Sequence, residues 1–338
     1  MDDDSQPDAS PDVPMDTSDV FTPPSIHPEA LLAGKSYTHY SPIPPSLLPT
    51  DSSPAPECVL GVDEAGRGPV LGPMVYSVFY LPLHQSEPLL RDTHHFDDSK
   101  TLNPAVRAAL MRTLCTPSSD LYDSCGWATA SLSARSISSD TMSPVAARNL
   151  NTQAMDATVG LVKGVLAKGV NVTEVYVDTV GPPASYQAKL QRLLPGLKIT
   201  VAKKADSLYP CVSAASVCAK VTRDASLEAL YAHHLSLHPS QLSPDKEGDM
   251  AWGSGYPSDA RCVAWLRENM HPLFGWGPEC RFSWGTAKDM LDGQGVKVEW
   301  PAEDDGETAR VTDFFTSRDG EGSEMGTWFG TPAGLEAF

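Results

Sequence analysis

Residues 58–81 read CVLGVDEAGRGPVLGPMVYSVFYL, and the fold class follows from how this stretch divides. Cys58–Asp63 is a short apolar run ending in acid, the pattern of a buried strand. Pro73–Leu81 is β-branched and aromatic, which predicts a second strand paired to the first through the GRGPVLG turn. Further along, Leu102, Val106, Leu110 and Leu114 have helical spacing, and Gly126–Leu132 alternates as a third strand. Ala146–Lys168 predicts a long helix with Leu150, Ala154, Ala157, Leu161 and Val165 on one face. Val175–Asp178 reads as a fourth strand, about Ala184–Leu194 as a helix and Ile199–Ala202 as a fifth strand. Helices follow over about Pro210–His234 and Asp259–Met270. The order β, β, α, β, α, β, α, β, α predicts an α/β fold, a mixed sheet with helices on its faces. No internal repeat is visible.

The two ends of the chain have a different composition. Twelve of the 30 prolines fall between Pro7 and Pro56, among many Ser and Asp and few large apolar residues. Such a segment buries too little surface to offset the entropy of ordering, so residues 1–55 are expected to form a disordered tail. From about Gly293 the chain turns acidic and loses periodicity, which predicts a second tail over 295–338. The net charge of −18 concentrates in these ends: residues 1–50 carry −7 and residues 296–338 another −7, leaving −4 for the middle. A body near neutrality can still present a basic groove, so charge neither supports nor excludes a nucleic-acid partner. The seven cysteines form no CxxC pair and are odd in number, which reads as reduced thiols in an intracellular compartment. No apolar run approaches the roughly 18 residues of a membrane span. The start, Met1-Asp2-Asp3-Asp4, is the opposite of a basic signal-peptide start.

Chemistry enters at the strand ends. Asp63 and Glu64 follow the first strand, Asp178 ends the fourth, and Asp206 lies just beyond the fifth. Strands lying side by side would gather these four carboxylates in one crevice at their C-terminal ends. Unpaired, the four would repel and raise one another's pKa. Hard divalent cations relieve that repulsion through oxygen ligands, and two of them about 4 Å apart can drive phosphodiester hydrolysis. The plainer alternative is that acids at strand ends cap helices or make turns, with Asp206 a simple cap of the helix that follows. Gly66-Arg67-Gly68 lets backbone approach a ligand closely, so that peptide groups could meet a sugar hydroxyl and Arg67 a phosphate. Only RNA offers a 2′-OH to such a sensor. Taken alone, the same residues also make a tight turn with a solvated Arg.

The run Val62-Asp63-Glu64-Ala65-Gly66-Arg67-Gly68-Pro69-Val70-Leu71-Gly72-Pro73 resembles the signature of type 2 ribonucleases H. Further stretches match in the family's order: Asp98–Leu102, Val177–Gly181, Lys204–Asp206, Ser213–Asp224 and Gly253–Pro257. Together they span roughly 58–285. Asp178–Gly181, Leu208-Tyr209-Pro210 and Arg281-Phe282-Ser283-Trp284 are more similar to the eukaryotic catalytic chain than to the bacterial enzyme. The resemblance implies a ribonuclease H-like fold with a mixed five-stranded sheet over 56–240 and a helical C-terminal extension over 241–294.

It also implies an endonuclease that cuts the RNA strand of RNA–DNA hybrids and incises 5′ of single ribonucleotides in duplex DNA. Asp63, Glu64, Asp178 and Asp206 would hold two Mg²⁺ or Mn²⁺ ions. Gly66, Arg67 and Gly68 would grip the 2′-OH, and Tyr256 would stack on the sugar of the next nucleotide. By spacing alone Tyr256 is a turn aromatic packed on the core. Ser99, Lys100, Lys203, Lys204, Lys220 and Arg223 are candidate phosphate contacts, although two cations three apart on one helix face are as often only solvated.

The family implies two noncatalytic accessory subunits and a nuclear location; no compact Lys/Arg import signal is visible. Thr308–Phe315 places Val311 three before Phe314 and Phe315, which looks like a sliding-clamp (PCNA) peptide with Thr308 where Gln is usual. The same aromatics suit contact with an accessory chain equally. Two other functions share these residues: a related nuclease of different specificity, such as a structure-selective DNase of the same fold, and a catalytically dead scaffold, against which all four carboxylates count.

Overall fold

The computed structural model describes residues 21–96, 102–179, 181–239 and 250–297. A short helix α1 (Pro28–Leu32) and strand β1 (Tyr37–Tyr40) precede the hairpin β2 (Cys58–Ala65) and β3 (Met74–Pro82). After a π-helical segment, Ser86–Thr93, come α2 (Pro104–Cys115), α3 (Asp120–Ser124), β4 (Gly126–Leu132), α4 (Ala134–Met142) and α5 (Leu150–Ala167). Next are β5 (Val172–Asp178), α6 (Pro183–Leu193), β6 (Lys198–Ala202), α7 (Ala205–Leu208) and α8 (Pro210–Leu237). The last elements are α9 (Ala260–Glu268) and α10 (Gly285–Gln294).

The sheet has the order β1-β4-β3-β2-β5-β6. β2, β5 and β6 run parallel, while β3 and β4 are antiparallel to their neighbours. Successive side chains of a strand take opposite faces, and the core splits accordingly. Leu60 and Val62 of β2 join Leu161 and Val165 of α5 and Leu190 of α6 on one face. Val59 joins Phe79, Met111 of α2 and Val212 and Ala215 of α8 on the other. Gly61 sits under α8, where a Cβ would stand 2.3 Å from the Cys211 carbonyl. Its missing side chain brings α8 down onto the strand that carries the first two acids.

Two expectations are corrected. Among the described residues the sheet has six strands, because β1 pairs with β4 from Tyr37↔Ser131 to Tyr40↔Ala128. Residues 21–55 accordingly belong to the folded body, and of the expected tail only 1–20 lie outside the described residues. Averaged composition hides this segment's few but well-placed anchors. Leu31 and Leu47 are buried, Tyr37 stacks on His27 at 4.7 Å, and His39 lies 5.1 Å from Trp127. Its prolines begin helical turns, at Pro28 and Pro45, where a missing N–H costs nothing.

The C-terminal extension shares a core with the sheet domain. Trp252, Trp265 and Leu266 pack with Val70, Leu71 and Leu227, so the turn after β2 lies beneath it. All seven cysteines are free thiols. Among the described residues no helix is long and apolar enough to cross a membrane.

Candidate active site

The strand register brings the acids together. Val62 of β2 is level with Val177 of β5, so Asp63 lies beside Asp178, and Asp178 is level with Ala202 at the end of β6. Three residues on, Ala205 begins α7 and donates its N–H to Asp178 Oδ1 at 2.8 Å. Asp206 follows in the first turn of α7 and is buried. The N-cap of α8 is Tyr209, so Asp206 is not the cap of that helix.

Asp63 and Glu64 are consecutive on β2 and take opposite faces. Asp63 turns toward α8 and bonds Ser216, while its Oδ1 accepts the Glu64 N–H at 2.8 Å. Glu64 turns toward Arg67 and Tyr76, its cross-strand partner. Burial pushes the Asp63 carboxyl well above its ordinary range, and the charges of Glu64 and Asp178 push it further. Glu64 is raised to about 7, first by burial and then by Asp178 and Asp206, against the pull of Arg67. Bare, this cluster resists full ionisation.

Among the described residues no three His, Cys, Asp or Glu side chains already stand in metal-ligand geometry. The fit to a cation rests on chemistry. All four donors are hard oxygens, and a divalent ion would remove the repulsion that raises Asp63 and Glu64. An ion here would complete its shell with water and substrate oxygens.

The Gly66-Arg67-Gly68 loop is held from below by Arg281, which is 0% exposed. Its guanidinium donates to the carbonyls of Gly66 (2.6 Å), Arg67 (3.1 Å) and Gly72 (3.0 Å). Trp284 Nε1 donates to Gly68 O at 2.9 Å. In a planar trans peptide the C=O and the following N–H point in opposite directions. With the carbonyls of Gly66 and Arg67 drawn inward, the N–H groups of Arg67 and Gly68 face outward as donors. Gly66 has φ +75°, and a Cβ there would lie 2.7 Å from Pro73 O, so only glycine fits.

The extension braces the same loop. Val70 and Leu71 donate their N–H groups to Gly255 O at 2.9 and 3.2 Å, and Arg281 N donates to Val70 O at 2.8 Å. This turn seats the half-buried Tyr256 ring against Gly68, whose Cβ, if present, would lie 3.2 Å from Tyr256 Cε1.

The candidate phosphate contacts separate. Lys203 and Lys204 are exposed at the start of α7, and Lys220 is half-buried on α8. Arg223 corrects the expectation: it is 7% exposed and points inward. It donates to Ser254 O, pairs with Asp224 at 2.9 Å, and lies 5.6 Å from the centre of the Tyr256 ring. Arg223 therefore organises the Tyr256 turn. Ser99, Lys100, Val311, Phe314 and Phe315 lie outside the described residues. Sequence reasoning assigns no role to Arg281 or Trp284 beyond a family-like pattern. The signal that could find Arg281 is a lone Arg within Cys280–Trp284, a run rich in aromatics and otherwise uncharged, as a buried, carbonyl-bound cation requires.

The ribonuclease HII family model matches residues 60–287. The chain is 59% identical to the A subunit of ribonuclease H2 from Neurospora crassa, over 96% of this chain and 99% of that protein. It is 42% identical to the A subunit of ribonuclease H2 from Homo sapiens, over 81% and 88% of the two chains. Among solved structures, the ribonuclease H2 of Pyrococcus horikoshii aligns with TM-score 0.53 at 27% identity, covering 70% of this chain and 98% of that one.

Proposed function

Because this chain belongs to the ribonuclease HII family, among the eukaryotic catalytic chains, and is a ribonuclease H hydrolase, we propose that it incises duplex DNA on the 5′ side of an embedded ribonucleotide, as well as the RNA strand of longer hybrids. The observation that carries the specificity is the outward-facing pair of amides at Arg67 and Gly68, fixed by Arg281 beside the carboxylate cluster. Those amides are donors placed for a 2′-oxygen, which deoxyribose lacks. Tyr256, against Gly68, offers its ring face to the sugar of the following nucleotide.

Asp63, Glu64, Asp178 and Asp206 would hold two Mg²⁺ or Mn²⁺ ions. When bound, these supply an activated water and neutralise the departing oxygen. The water adds to the phosphorus 5′ of the ribonucleotide, and the bond from phosphorus to the upstream O3′ breaks. Its proton passes to that oxygen, leaving a 3′-hydroxyl and a 5′-phosphate. Asp63 and Asp178 are held by the Glu64 and Ala205 N–H groups, so two ligands are oriented before any ion arrives.

The relatives are each one component of a multichain enzyme by name, which supports assembly with other chains; we take these to be two accessory subunits. A nuclear location and a clamp or accessory-chain role for Val311, Phe314 and Phe315 belong to the same reading. The test is incision of matched duplexes with Mg²⁺, one carrying a single ribonucleotide and one all-DNA. The expected result is one cut 5′ of the ribonucleotide and none in all-DNA, abolished by Asp63→Ala. Equal cutting of both would favour a related DNase of this fold that does not read the ribonucleotide, and no cutting by the assembled wild-type enzyme a scaffold.

A further inference from the structure

A cleft of about 160 Å³ opens from the carboxylate cluster between α5 and α6. Glu64 and Asp178 line it together with Arg67, Asn151, Ser185 and Lys189. Its occupant must therefore lie within reach of the catalytic acids, which makes it part of the substrate. Beside the acids the lining holds two cations, Arg67 and Lys189, with the Asn151 amide and the Ser185 hydroxyl from the first turn of α6, a set of donors suited to an anion.

Arg67 is held in place there. Its Nη1 donates to the Tyr76 hydroxyl at 3.4 Å and its Nη2 to Asn151 Oδ1. Tyr76 is buried and level with Glu64 across the hairpin. Ser185 and Lys189 are four apart on α6 and share a face, and Tyr186 between them bonds Thr158 of α5 at 3.5 Å, tying the two walls together. Among the described residues, none of the extension lines the cleft. Tyr256 stands on the extension's side of the loop, so the cleft takes the strand on the other side of the scissile bond.

We infer that this cleft is a phosphate subsite for the cleaved strand, in which Lys189 and Arg67 hold the phosphodiester one nucleotide 5′ of the scissile one. The inference rests on the endonuclease reading above and extends it. A metal-charged carboxylate cluster holds the scissile phosphate alone. A second fixed phosphate sets the direction in which the strand lies across the site. Arg67 thus carries two functions, its amide toward the ribose and its guanidinium toward the upstream phosphate. Lys189 carries only the second.

The test uses the assembled enzyme and a duplex with one ribonucleotide, with binding measured in Ca²⁺ and cleavage in Mg²⁺. Lys189→Ala should raise KM about tenfold with less than a twofold change in kcat, and Lys189→Arg should restore it. The slope of log affinity against log salt should become shallower by about 0.9, one phosphate contact. A neutral methylphosphonate one nucleotide 5′ of the scissile phosphate should weaken wild-type binding about tenfold and weaken Lys189→Ala binding distinctly less, through the remaining Arg67 contact alone. An unchanged KM and salt slope for Lys189→Ala would overturn the subsite, as would a methylphosphonate effect equal in both proteins. Wild type that binds with the expected slopes but fails to incise would sink the endonuclease reading and leave the subsite standing.

Discussion

Replacing Arg281 by Met removes the support of the Gly66-Arg67-Gly68 loop while keeping much of the side-chain volume. Three charge-assisted bonds to the carbonyls of Gly66, Arg67 and Gly72 are lost. Bonds to charged groups contribute roughly 1.5–3 kcal/mol each, and an unsatisfied buried carbonyl costs about 1–3 kcal/mol. Against this stands the cost of burying a guanidinium, several kcal/mol. That cost is visible in Arg281 itself, whose pKa falls to about 9 through burial and then through neighbouring Arg223.

The balance for Arg281→Met, three carbonyls left without their donor against relief of the buried charge, is a net loss of about 2–4 kcal/mol, or a fall in Tm of roughly 5–10 °C for a folded body of this size. The loop should also lose its alignment, and a displacement of about 1 Å at such a site costs roughly 100-fold in rate. The assay pairs a thermal melt with kcat/KM on a single-ribonucleotide duplex, measured well below the melting range. A variant that melts early yet incises with wild-type kcat/KM would show that Arg281 serves the fold and does not position the loop. A variant unchanged in both would refute the bonding account altogether.

The other expectations concern the acids and Tyr256. Asp178→Asn should abolish turnover with little loss of hybrid binding, because the groove persists without the charge; equal loss of both in a binding and cleavage comparison would count against the role. Tyr256→Phe should retain most activity and Tyr256→Ala lose it, since stacking uses the ring face; identical rates for the two would remove the stacking role. Glu64, raised to about 7, predicts a pH dependence whose sign is fixed. In the metal-free protein the folded state binds the Glu64 proton more tightly than the unfolded chain does, so stability falls as pH rises from about 4.5 to 7. A divalent ion competes for the same oxygens. Its affinity should therefore rise through that window and its stabilising effect on Tm should be largest above about pH 7. A metal-induced shift in Tm that is flat between about pH 5 and 8 would contradict the assignment.

The sheet domain is legible in the sequence because its strands are short, strongly apolar and bounded by acid or glycine. Strand ends at Asp63 and Asp178 come directly from where the apolar runs stop, and register then forces the acids together. The sixth strand is not legible. Tyr37–Tyr40 is four residues long, sits among prolines, and is held by ring contacts with His27 and Trp127 that no local period encodes. Arg223 escapes local reading for a related reason. A cation on a helix reads as solvent-facing unless the chain far away supplies an acceptor, and here Ser254 O does. Arg281 is the mirror case, since its acceptors lie more than 200 residues upstream. Local pattern reveals which residues can carry charge, whereas the burial of that charge depends on tertiary partners.

The proposed chemistry requires the four carboxylates to act together as cation ligands. Crystals of the wild-type assembly with a non-cleavable ribonucleotide duplex and Mn²⁺, measured at the manganese absorption edge, test this directly. Two anomalous peaks bounded by Asp63, Glu64, Asp178 and Asp206 are predicted. Bound duplex with no peak between those oxygens would contradict the account.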